Sequence, residues 1–381
     1  MDLALSATQQ SIREVARRFA KERIAPQAKV HDREERISPG LLKEMASLGL
    51  MGVNVAPELG GAGAGAVAYS LAMMEISAAC ASTSVVMAVT NMCAELIARF
   101  GTEAQKSKYV ERLVSGEALA GAFALSEPHS GSDAAALKTR AEKKGDRWIL
   151  NGSKQWITSG AYAGVMVVWA RTSAGPRGVS AFVVESKTPG LHVGKPEDKM
   201  GLRGSNTVAL TFEDCAIPAE NILGAEGDGF KLAMIALDGG RIGIASQACG
   251  VARAAVEAAV GYAGERRAFD RPIADFQAIQ WFLANADTEL NAAELLTWRA
   301  AWLKEQGASF TREASMAKLF ASEMAFRACD KAVQIHGGYG YTDEFPVERY
   351  LRDCRVQTLY EGTSEIQRLV IAREVIKSHS G

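Results

Sequence analysis

The chain of 381 residues is long enough to form two or three domains with a sizeable core. It has 43 Lys and Arg against 44 Asp and Glu, and this net charge of −1 gives no reason to expect nucleic acid or an anionic membrane as a partner. Six cysteines without a C-x-x-C pair indicate reduced thiols, and five histidines without metal-binding spacing argue against a metal centre.

The first 116 residues or so have a helical pattern. Apolar residues recur at helical spacing from Ile12 to Phe19, and Ser38-Pro39 predicts the start of a second helix. The stretch from Val67 to Arg99 predicts one or two long helices that are buried on more than one side. No apolar run reaches membrane-spanning length and the opening residues lack the pattern of a secretion signal. We therefore expect no membrane insertion and a bacterial cytoplasmic protein, or a mitochondrial matrix protein if the chain is processed.

The pattern changes near Ala118. Short β-branched runs follow at 148–150, 165–169, 180–184 and 208–212. Asn151-Gly152, between two of these runs, predicts a hairpin turn. Because no βαβ alternation occurs, this middle region predicts an all-β domain and no Rossmann-type sheet.

Long Ala-rich helical patterns follow from Phe230 onward. Four of them, joined by short turns, predict an antiparallel bundle over residues 231–263, 273–305, 311–335 and 365–377. The predicted fold is therefore mainly α, with a β domain in the middle of the chain.

The loop from Tyr360 to Arg368 stands close to the C-terminus. Gly362 permits unusual backbone angles and a close approach of a ligand, and Thr363-Ser364 predicts a helix N-cap. Glu361 lies just outside that helix and presents a carboxylate to the same space. Taken alone, this loop is better explained as a capped surface helix with a solvated glutamate.

Five further stretches carry polar groups near glycines or aromatic rings. Residues 123–133 and 156–158 suit the edge and face of a planar heterocycle, and 238–241 suits a nucleotide-like or amide-bearing ligand. Residues 265–277 and 334–340 offer a guanidinium, a ring, an amide and a Gly-rich turn suited to pyrophosphate and adenine. Each stretch also has a structural explanation of its own, such as a core Trp or a weak surface ion pair.

The order and spacing of these motifs are specific. Together with Asn151-Gly152-x-Lys154-x-Trp156 and Met200 to Ser205, they resemble the acyl-CoA dehydrogenase family over essentially the whole chain. Cys80 to Thr83, Phe123 to Pro128 and Leu295 to Ala301 are most similar to the short-chain, butyryl-CoA type. The resemblance implies an N-terminal helical domain (1–117), a middle β-barrel (118–225) and a C-terminal four-helix bundle (226–381), assembled as a homotetramer made of two dimers.

The resemblance also implies FAD as cofactor, acyl-CoA as substrate and electron-transfer flavoprotein as oxidant. The flavin contacts that it implies within one subunit are Phe123, Leu125, Ser126, Gly131, Ser132, Trp156, Ile157 and Thr158, completed by Thr363 and Glu365. The contacts that it implies across a subunit boundary, to pyrophosphate and adenine, are Arg266, Phe269, Gln277, Gln334, Ile335, Gly337 and Gly338. Acyl-CoA is expected at Ser132, Asp238, Arg241, Glu361 and Gly362, and no metal ligand is implied.

The reaction that the resemblance implies removes hydrogen across Cα–Cβ of a thioester and gives a trans-2-enoyl-CoA. It needs a base for the α-proton and a hydride acceptor, and only the flavin can accept hydride. Glu361 is our candidate base, since burial beside the ligands would raise its pKa towards neutrality. Some family members carry the base just before the arginine of the bundle helix. That position is Gly240 here, which agrees with a base at Glu361.

Three alternatives remain open from the sequence. The first is a dehydrogenase for short branched acyl-CoA such as isobutyryl- or 2-methylbutyryl-CoA, since one methylene changes binding by only about 1–3 kcal/mol. We expect the segment from Ser84 to Asn91 to form the base of the acyl pocket. The second is an oxidase-like enzyme, which the chain length disfavours, and the third is a non-catalytic flavin- or acyl-CoA-binding paralogue, which Glu361 disfavours. His129, Ser159 and Asp270 depart from the family pattern near the expected cofactor.

Overall fold

The computed structural model describes residues 4–175 and 178–379, so the first three residues of the segment considered for a secretion signal lie outside it. The helices are α1 (Ala7–Phe19), α2 (Ala28–Glu34), α3 (Pro39–Ser47), α4 (Gly65–Ala79), α5 (Ala81–Phe100), α6 (Glu103–Gln105), α7 (Glu111–Val114), α8 (Gly229–Glu265), α9 (Gln277–Glu305), α10 (Thr311–His336), α11 (Val347–Cys354) and α12 (Ser364–His379). The strands are β1 (Ala120–Ala124), β2 (Arg140–Lys144), β3 (Arg147–Thr158), β4 (Ala163–Arg171), β5 (Val179–Glu185), β6 (Leu191–Pro196), β7 (Thr207–Pro218), β8 (Ile222–Leu223), β9 (Arg267–Ala268) and β10 (Arg271–Pro272).

The N-terminal helices are capped and buried largely as the sequence predicts. Ser38 caps α3, with its Oγ accepting a hydrogen bond from Leu41 N at 3.2 Å. The long apolar stretch forms two helices, α4 and α5, which are separated at Cys80 by extended backbone. Helix α5 has the length and mean hydropathy, 1.4, to cross a membrane, so the expectation that no apolar run reaches that length is wrong. However, 89% of its apolar window is buried inside the protein, which is typical of the core helix of a soluble protein.

The middle of the chain is one eight-stranded sheet. Its strand order is β6-β7-β3-β2-β4-β5-β8, and β1 pairs in parallel with β4. Apolar side chains from six strands meet in one cluster around Trp148, Phe182 and Phe212. A sheet that gathers one face of six strands around a common interior is curved, as expected for a barrel.

The predicted hairpin turn at Asn151-Gly152 is wrong. Both residues lie inside β3, where the register with β7 shifts between Leu150 and Gly152. A Cβ on Gly152 would lie 2.7 Å from Thr139 Cα, so this glycine permits a close approach of two backbone segments. The true turn lies at Gly145, between β2 and β3, where φ is +61°. The dipeptide therefore forms an irregularity inside a strand, a second common use of glycine in sheets.

The C-terminal helices form a bundle around α10. Helix α10 packs against α8, α9 and α12, as predicted, and also against α11, which the sequence analysis missed. Its core is rich in alanine and is shared with α4. Helix α8 lies very close to α4 at Gly250, because a Cβ there would lie 2.0 Å from Ser77 Oγ and 2.3 Å from Met74 O.

A single apolar cluster joins all three parts of the chain. It contains Val89 and Met92 of α5, Val167 of β4, Val183 of β5 and Ala233 of α8. The domain boundaries that we propose after residues 117 and 225 fall between α7 and β1 and between β8 and α8. The proposed domains are therefore distinct in secondary structure while they share a core.

Gly250→Ala tests the contact between α4 and α8. We expect it to lower the free energy of unfolding by about 1–3 kcal/mol, because the added methyl group overlaps the α4 backbone. Gly261→Ala in the same helix is the control, since its Cβ would meet nothing within 4 Å, and it should be neutral or stabilising by up to about 1 kcal/mol. Thermal unfolding measures both variants, and equal midpoints would contradict the close approach.

Candidate active site

The loop before α12 places Glu361 in an unusual backbone conformation. Glu361 has φ +54° and Gly362 has φ +87°, so two successive residues lie in the left-handed region. A residue other than glycine is uncommon there and is held by its surroundings, often at functional sites. Thr363 caps α12 through a hydrogen bond from Ile366 N to its Oγ1 at 3.3 Å, as predicted.

The Glu361 carboxylate points at helix α8. A Cβ on Gly240 would lie 2.6 Å from Glu361 Oε2 and 3.3 Å from Met92 Sδ. Because glycine has no side chain, the Glu361 carboxylate occupies that space. Oε2 is buried and has no hydrogen-bond partner among the described residues. Burial raises the pKa of Glu361 to about 7, while the charges of Arg241 and Lys318 act to lower it. The result is a carboxylate that can take or release a proton near neutral pH.

Asp238 and Arg241 lie within the unbroken helix α8 and form a buried pair. Arg241 Nη1 donates to Asp238 Oδ1 at 2.6 Å and to Ser315 Oγ at 3.3 Å, and Thr311 Oγ1 donates to Asp238 Oδ2 at 2.6 Å. Arg241 is 5% exposed, which excludes a surface ion pair. Its Nε is buried without a partner among the described atoms, so a donor remains for a ligand.

A small cavity of about 40 Å³ opens beside Gly240. Its lining includes the part of α5 from Asn91 to Phe100, together with residues of α8 and Lys304 of α9. Of the segment from Ser84 to Asn91 that we expected to form the base of the acyl pocket, Asn91 lines this cavity. Ser84 Oγ instead accepts a hydrogen bond from Gln247 Nε2 at 3.0 Å. The assignment of Ser84 to Asn91 to the base of the acyl pocket stays a prediction.

The first set of expected flavin residues lies at and after the C-terminal ends of β1 and β3. Gln155 N donates to Ser126 O at 2.9 Å and joins the two segments. Trp156 is 61% exposed, has φ +63° and presents its ring at the surface. The expected residues Leu125 and Ile157 have buried side chains. A ligand here would meet their backbone rather than their side chains.

The remaining members of this set lie around the same rim. Phe123 packs on Trp169 with 4.2 Å between ring centroids. Gly131 and Ser132 are exposed, and a Cβ on Gly131 would meet nothing within 4 Å. Thr158 is half-buried at the end of β3. This rim is open to a ligand at its glycine and hydroxyl groups.

A buried ion pair fixes this rim. Lys154 Nζ donates to Glu127 Oε1 at 2.9 Å and to Leu125 O at 3.0 Å, and Glu127 also accepts hydrogen bonds from Lys138 N and Thr139 N. Burial acts to raise the pKa of Glu127, but Lys154 and the N–H donors outweigh it and hold that pKa below its usual value. Burial lowers the pKa of Lys154 to about 8. Lys154 is part of a motif in the sequence, but its pairing with Glu127 was not predicted.

The second set of expected cofactor residues lies at one end of the bundle. Phe269, in the turn between β9 and β10, is 87% exposed, and Arg266 lies 5.9 Å from the Tyr339 ring. Gln277 begins α9, and Gln334 is exposed near the end of α10, whereas the Ile335 side chain is buried. A Cβ on Gly337 or Gly338 would meet nothing within 4 Å.

No hydrogen bond or ion pair between described residues connects this second set with the β rim. That the two sets bind one cofactor across a subunit boundary stays a prediction.

Two of the three departures from the family pattern have a structural explanation. Ser159 and Asp270 both have φ +62°, which is the region where glycine and asparagine are favoured. Asp270 follows Phe269 in a two-residue turn with positive φ at both positions, as such hairpins require. His129 is exposed, and its Nε2 lies 3.4 Å from Glu127 Oε2.

Two residues near Glu361 escaped the sequence analysis. Lys318 Nζ donates to Gly362 O at 2.7 Å, and Gln367 Nε2 donates to Gly362 O at 2.9 Å and to Glu361 O at 3.1 Å. Both side chains are fully buried. A signal was present, since Lys318 shares the buried face of α10 with Ala314 and Ala321, where a lysine is out of place.

Comparisons with known proteins decide the family. Acyl-CoA dehydrogenase models of the N-terminal, middle and C-terminal domains match residues 6–117, 122–215 and 227–376. The chain is 50% identical to the mitochondrial short-chain specific acyl-CoA dehydrogenase of Mus musculus, over 98% of this chain and 92% of that protein. The chain belongs to the acyl-CoA dehydrogenase family.

Solved structures agree with this assignment. Butyryl-CoA dehydrogenase from Megasphaera elsdenii matches with a TM-score of 0.97 and 42% identity, over 99% of this chain and 100% of that chain. A chain in a structure of the electron-transferring flavoprotein of Acidaminococcus fermentans matches with a TM-score of 0.97 and 44% identity, over 98% and 99% of the two chains. The protein is therefore an enzyme, an acyl-CoA dehydrogenase.

FAD is the cofactor of acyl-CoA dehydrogenases, and the residues present fit it. The exposed Trp156 ring offers a flat face for the flavin ring system, and the open surface at Gly131 allows a close approach to the backbone. The exposed guanidinium of Arg266 suits pyrophosphate, and the open Gly337-Gly338 surface suits a flat base. Among the described residues, no group of three or more His, Cys, Asp or Glu could hold a metal ion.

Lys154→Met tests the ion pair beneath the expected flavin rim. It should destabilise the dehydrogenase by about 3–5 kcal/mol, because it leaves the buried Glu127 charge without its partner. It should also reduce the FAD content of the purified protein. Lys144→Met is the control, since Lys144 is exposed and pairs with Glu142 at the surface, and it should change stability by less than about 0.5 kcal/mol. Similar thermal midpoints and FAD contents for both variants would contradict the role of Lys154.

Proposed function

We propose that this acyl-CoA dehydrogenase oxidises a short, straight acyl-CoA of the butyryl-CoA type to the trans-2-enoyl-CoA, with Glu361 as the base for the α-proton. The observation that carries the proposal is the buried, unpaired Glu361 carboxylate against Gly240. The similarity to a short-chain enzyme and to a butyryl-CoA dehydrogenase supports the substrate class.

Glu361 has the electrostatic properties that α-proton removal needs. A general base works best when its pKa lies near the working pH, and burial raises the pKa of Glu361 to about 7. The ionised form is the active one. Activity that depends on this base should therefore rise as the pH rises through about 7.

The backbone around Glu361 can stabilise the charge that develops during the reaction. Removal of the α-proton puts enolate-like charge on the thioester oxygen, which preorganised donors stabilise. The N–H group of Glu361 donates no hydrogen bond to another described residue, so it is free to donate to that oxygen. FAD, when bound, supplies the acceptor for the hydrogen that leaves Cβ with its electron pair.

The remaining substrate contacts are assigned to groups that line the approach to Glu361. We assign Arg241, held by Asp238, to a polar group of acyl-CoA, since its Nε is buried without a partner among described atoms. Gly362 gives the acyl group a close approach to the loop backbone. Ser132, exposed at the β rim, is assigned a contact with both acyl-CoA and flavin. Thr363 and the exposed Glu365 complete the flavin contacts at the start of α12.

The proposed partners are other copies of this chain and electron-transfer flavoprotein. Large aromatic and aliphatic side chains that the monomer leaves exposed support a homotetramer, and they include Phe269, Trp281, Tyr341 and Leu369. The second of the two structural matches comes from a structure of an electron-transferring flavoprotein, which supports that oxidant. The six buried, free cysteines suit a reducing compartment, such as a bacterial cytoplasm or a mitochondrial matrix.

The visible spectrum of the purified protein tests the reaction and the substrate class. We expect a yellow protein whose flavin absorbance bleaches with butyryl-CoA under anaerobic conditions. Bleaching should be slower with isobutyryl-CoA and octanoyl-CoA, and the bleached protein should reduce electron-transfer flavoprotein. Faster bleaching with isobutyryl-CoA would reassign the substrate to the branched class, and rapid aerobic turnover without an added acceptor would reassign the oxidant.

Glu361→Gln tests the base. The variant should keep FAD and bind butyryl-CoA, yet lose nearly all turnover, because the amide cannot accept the α-proton at neutral pH. Gly240→Glu combined with Glu361→Gly is the matched rescue, since position 240 points at the same carboxylate site. We expect the double variant to recover part of the turnover. Normal turnover of Glu361→Gln would refute the assignment.

A further inference from the structure

The peptide group that joins Gly362 to Thr363 is held from inside the bundle by Lys318 and Gln367, and both donate a hydrogen bond to Gly362 O. We propose that Lys318 is a positioning residue for the reaction, which fixes the left-handed backbone at Glu361 and supplies a positive charge beside the Glu361 carboxylate. This inference rests on the proposed role of Glu361 as the base. Lys318 itself would touch neither substrate nor cofactor.

The geometry carries the first part of the inference. Lys318 lies on α10 and is 0% exposed, and its Nζ reaches across to Gly362 O at 2.7 Å. Gln367 of α12 donates to the same oxygen at 2.9 Å. Two buried donors from two helices therefore converge on one carbonyl group. Their hydrogen bonds restrain the positive φ angles of +54° and +87° at Glu361 and Gly362, which an unrestrained loop would abandon.

Hydrogen bonding alone does not explain why one of these donors is a lysine. A buried ammonium costs several kcal/mol of solvation unless a negative group compensates for it. In the described part of the chain, Lys318 forms no ion pair within 4.0 Å, and its only side-chain hydrogen bond there is to an uncharged carbonyl. Burial lowers the pKa of Lys318 to about 8, and the Glu361 carboxylate is the negative group that opposes this effect most. The Lys318 ammonium group therefore lies where its positive charge acts on the Glu361 carboxylate.

Other charged or titratable groups also face this pair. Each of them changes the pKa of Glu361 or Lys318, or has its own pKa changed by one of these two residues. They are Arg241 of α8, Tyr69 of α4, Cys93 of α5, Tyr360 of the same loop, Glu323 of α10 and Glu365 of α12. Arg241 is the stronger of the two cations that stabilise the Glu361 carboxylate, and Lys318 is the second. Removal of Lys318 should therefore shift the pKa of Glu361 without abolishing its ionisation.

The direction of that shift follows from charge. A nearby ammonium favours the ionised carboxylate, so its removal raises the pKa of Glu361 above its value of about 7. Because the ionised base is the active form, the rising limb of the pH profile moves to higher pH. Gln367 has no charge, so its removal weakens the hold on the backbone and leaves the rising limb in place.

The experiment compares Lys318→Met with Gln367→Met as FAD-loaded enzymes. For each we would measure kcat and kcat/KM for butyryl-CoA across pH, the FAD content and the thermal midpoint. Lys318→Met should move the rising limb up by about half a unit to one unit, which lowers kcat/KM at pH 7 by about two- to fivefold. Gln367→Met should lower kcat at every pH without moving the limb. Lys331→Met, an exposed lysine on the same helix, should match the parent enzyme.

Lys318→Gln serves as a second variant in case the methionine variant loses FAD, and it should show the same shift because it also lacks the charge. An unmoved limb in both Lys318 variants, or equal shifts in the Lys318 and Gln367 variants, would overturn the proposal. Glu361→Gln measured in parallel separates the two hypotheses. If that variant retains turnover, the base assignment fails and the role of Lys318 fails with it. If it is inactive and the limb stays in place in the Lys318 variants, only the role of Lys318 fails.

Discussion

Desolvation of one carboxylate is the constraint on which the site depends. Glu361 Oε2 can remain buried and unpaired only because Gly240 leaves room for it on α8 and because two cations stand nearby. Helix α8 and the loop before α12 therefore fit together where Gly240 faces Glu361. A side chain at position 240 or a relaxed backbone at position 361 would return that carboxylate to water or displace it, and its elevated pKa would be lost.

The same logic of buried charge recurs in the β domain. Lys154 and Glu127 are both buried, and together they hold the backbone at Leu125 on which the expected flavin contacts rest. In both places a lysine inside the protein binds a main-chain carbonyl close to a ligand surface. Such groups are costly to bury, so they mark positions where exact placement of the backbone matters more than stability.

The sequence was sufficient for the order of the parts, the two long N-terminal helices and the bundle, because apolar periodicity reports directly on burial. The Asn151-Gly152 turn was wrong because the signal is local, whereas the bulge depends on packing against Thr139 and pairing with β7. The roles of Lys318 and Gln367 could not be read for a similar reason. Their partners are main-chain carbonyls, which have no signature in sequence, and they come together only when α10 and α12 pack.

The apolar cluster shared by α5, β4, β5 and α8 has a consequence for synthesis of the chain. Helices α4 and α5 are made early, but the partners that cover them include α8, which leaves the ribosome only after the whole β domain. Their other faces already pack on α1 and α3, but until then the faces that cover α8 have no native partner. The N-terminal third therefore exposes part of its core during translation, and a fragment cut at either proposed boundary would do the same.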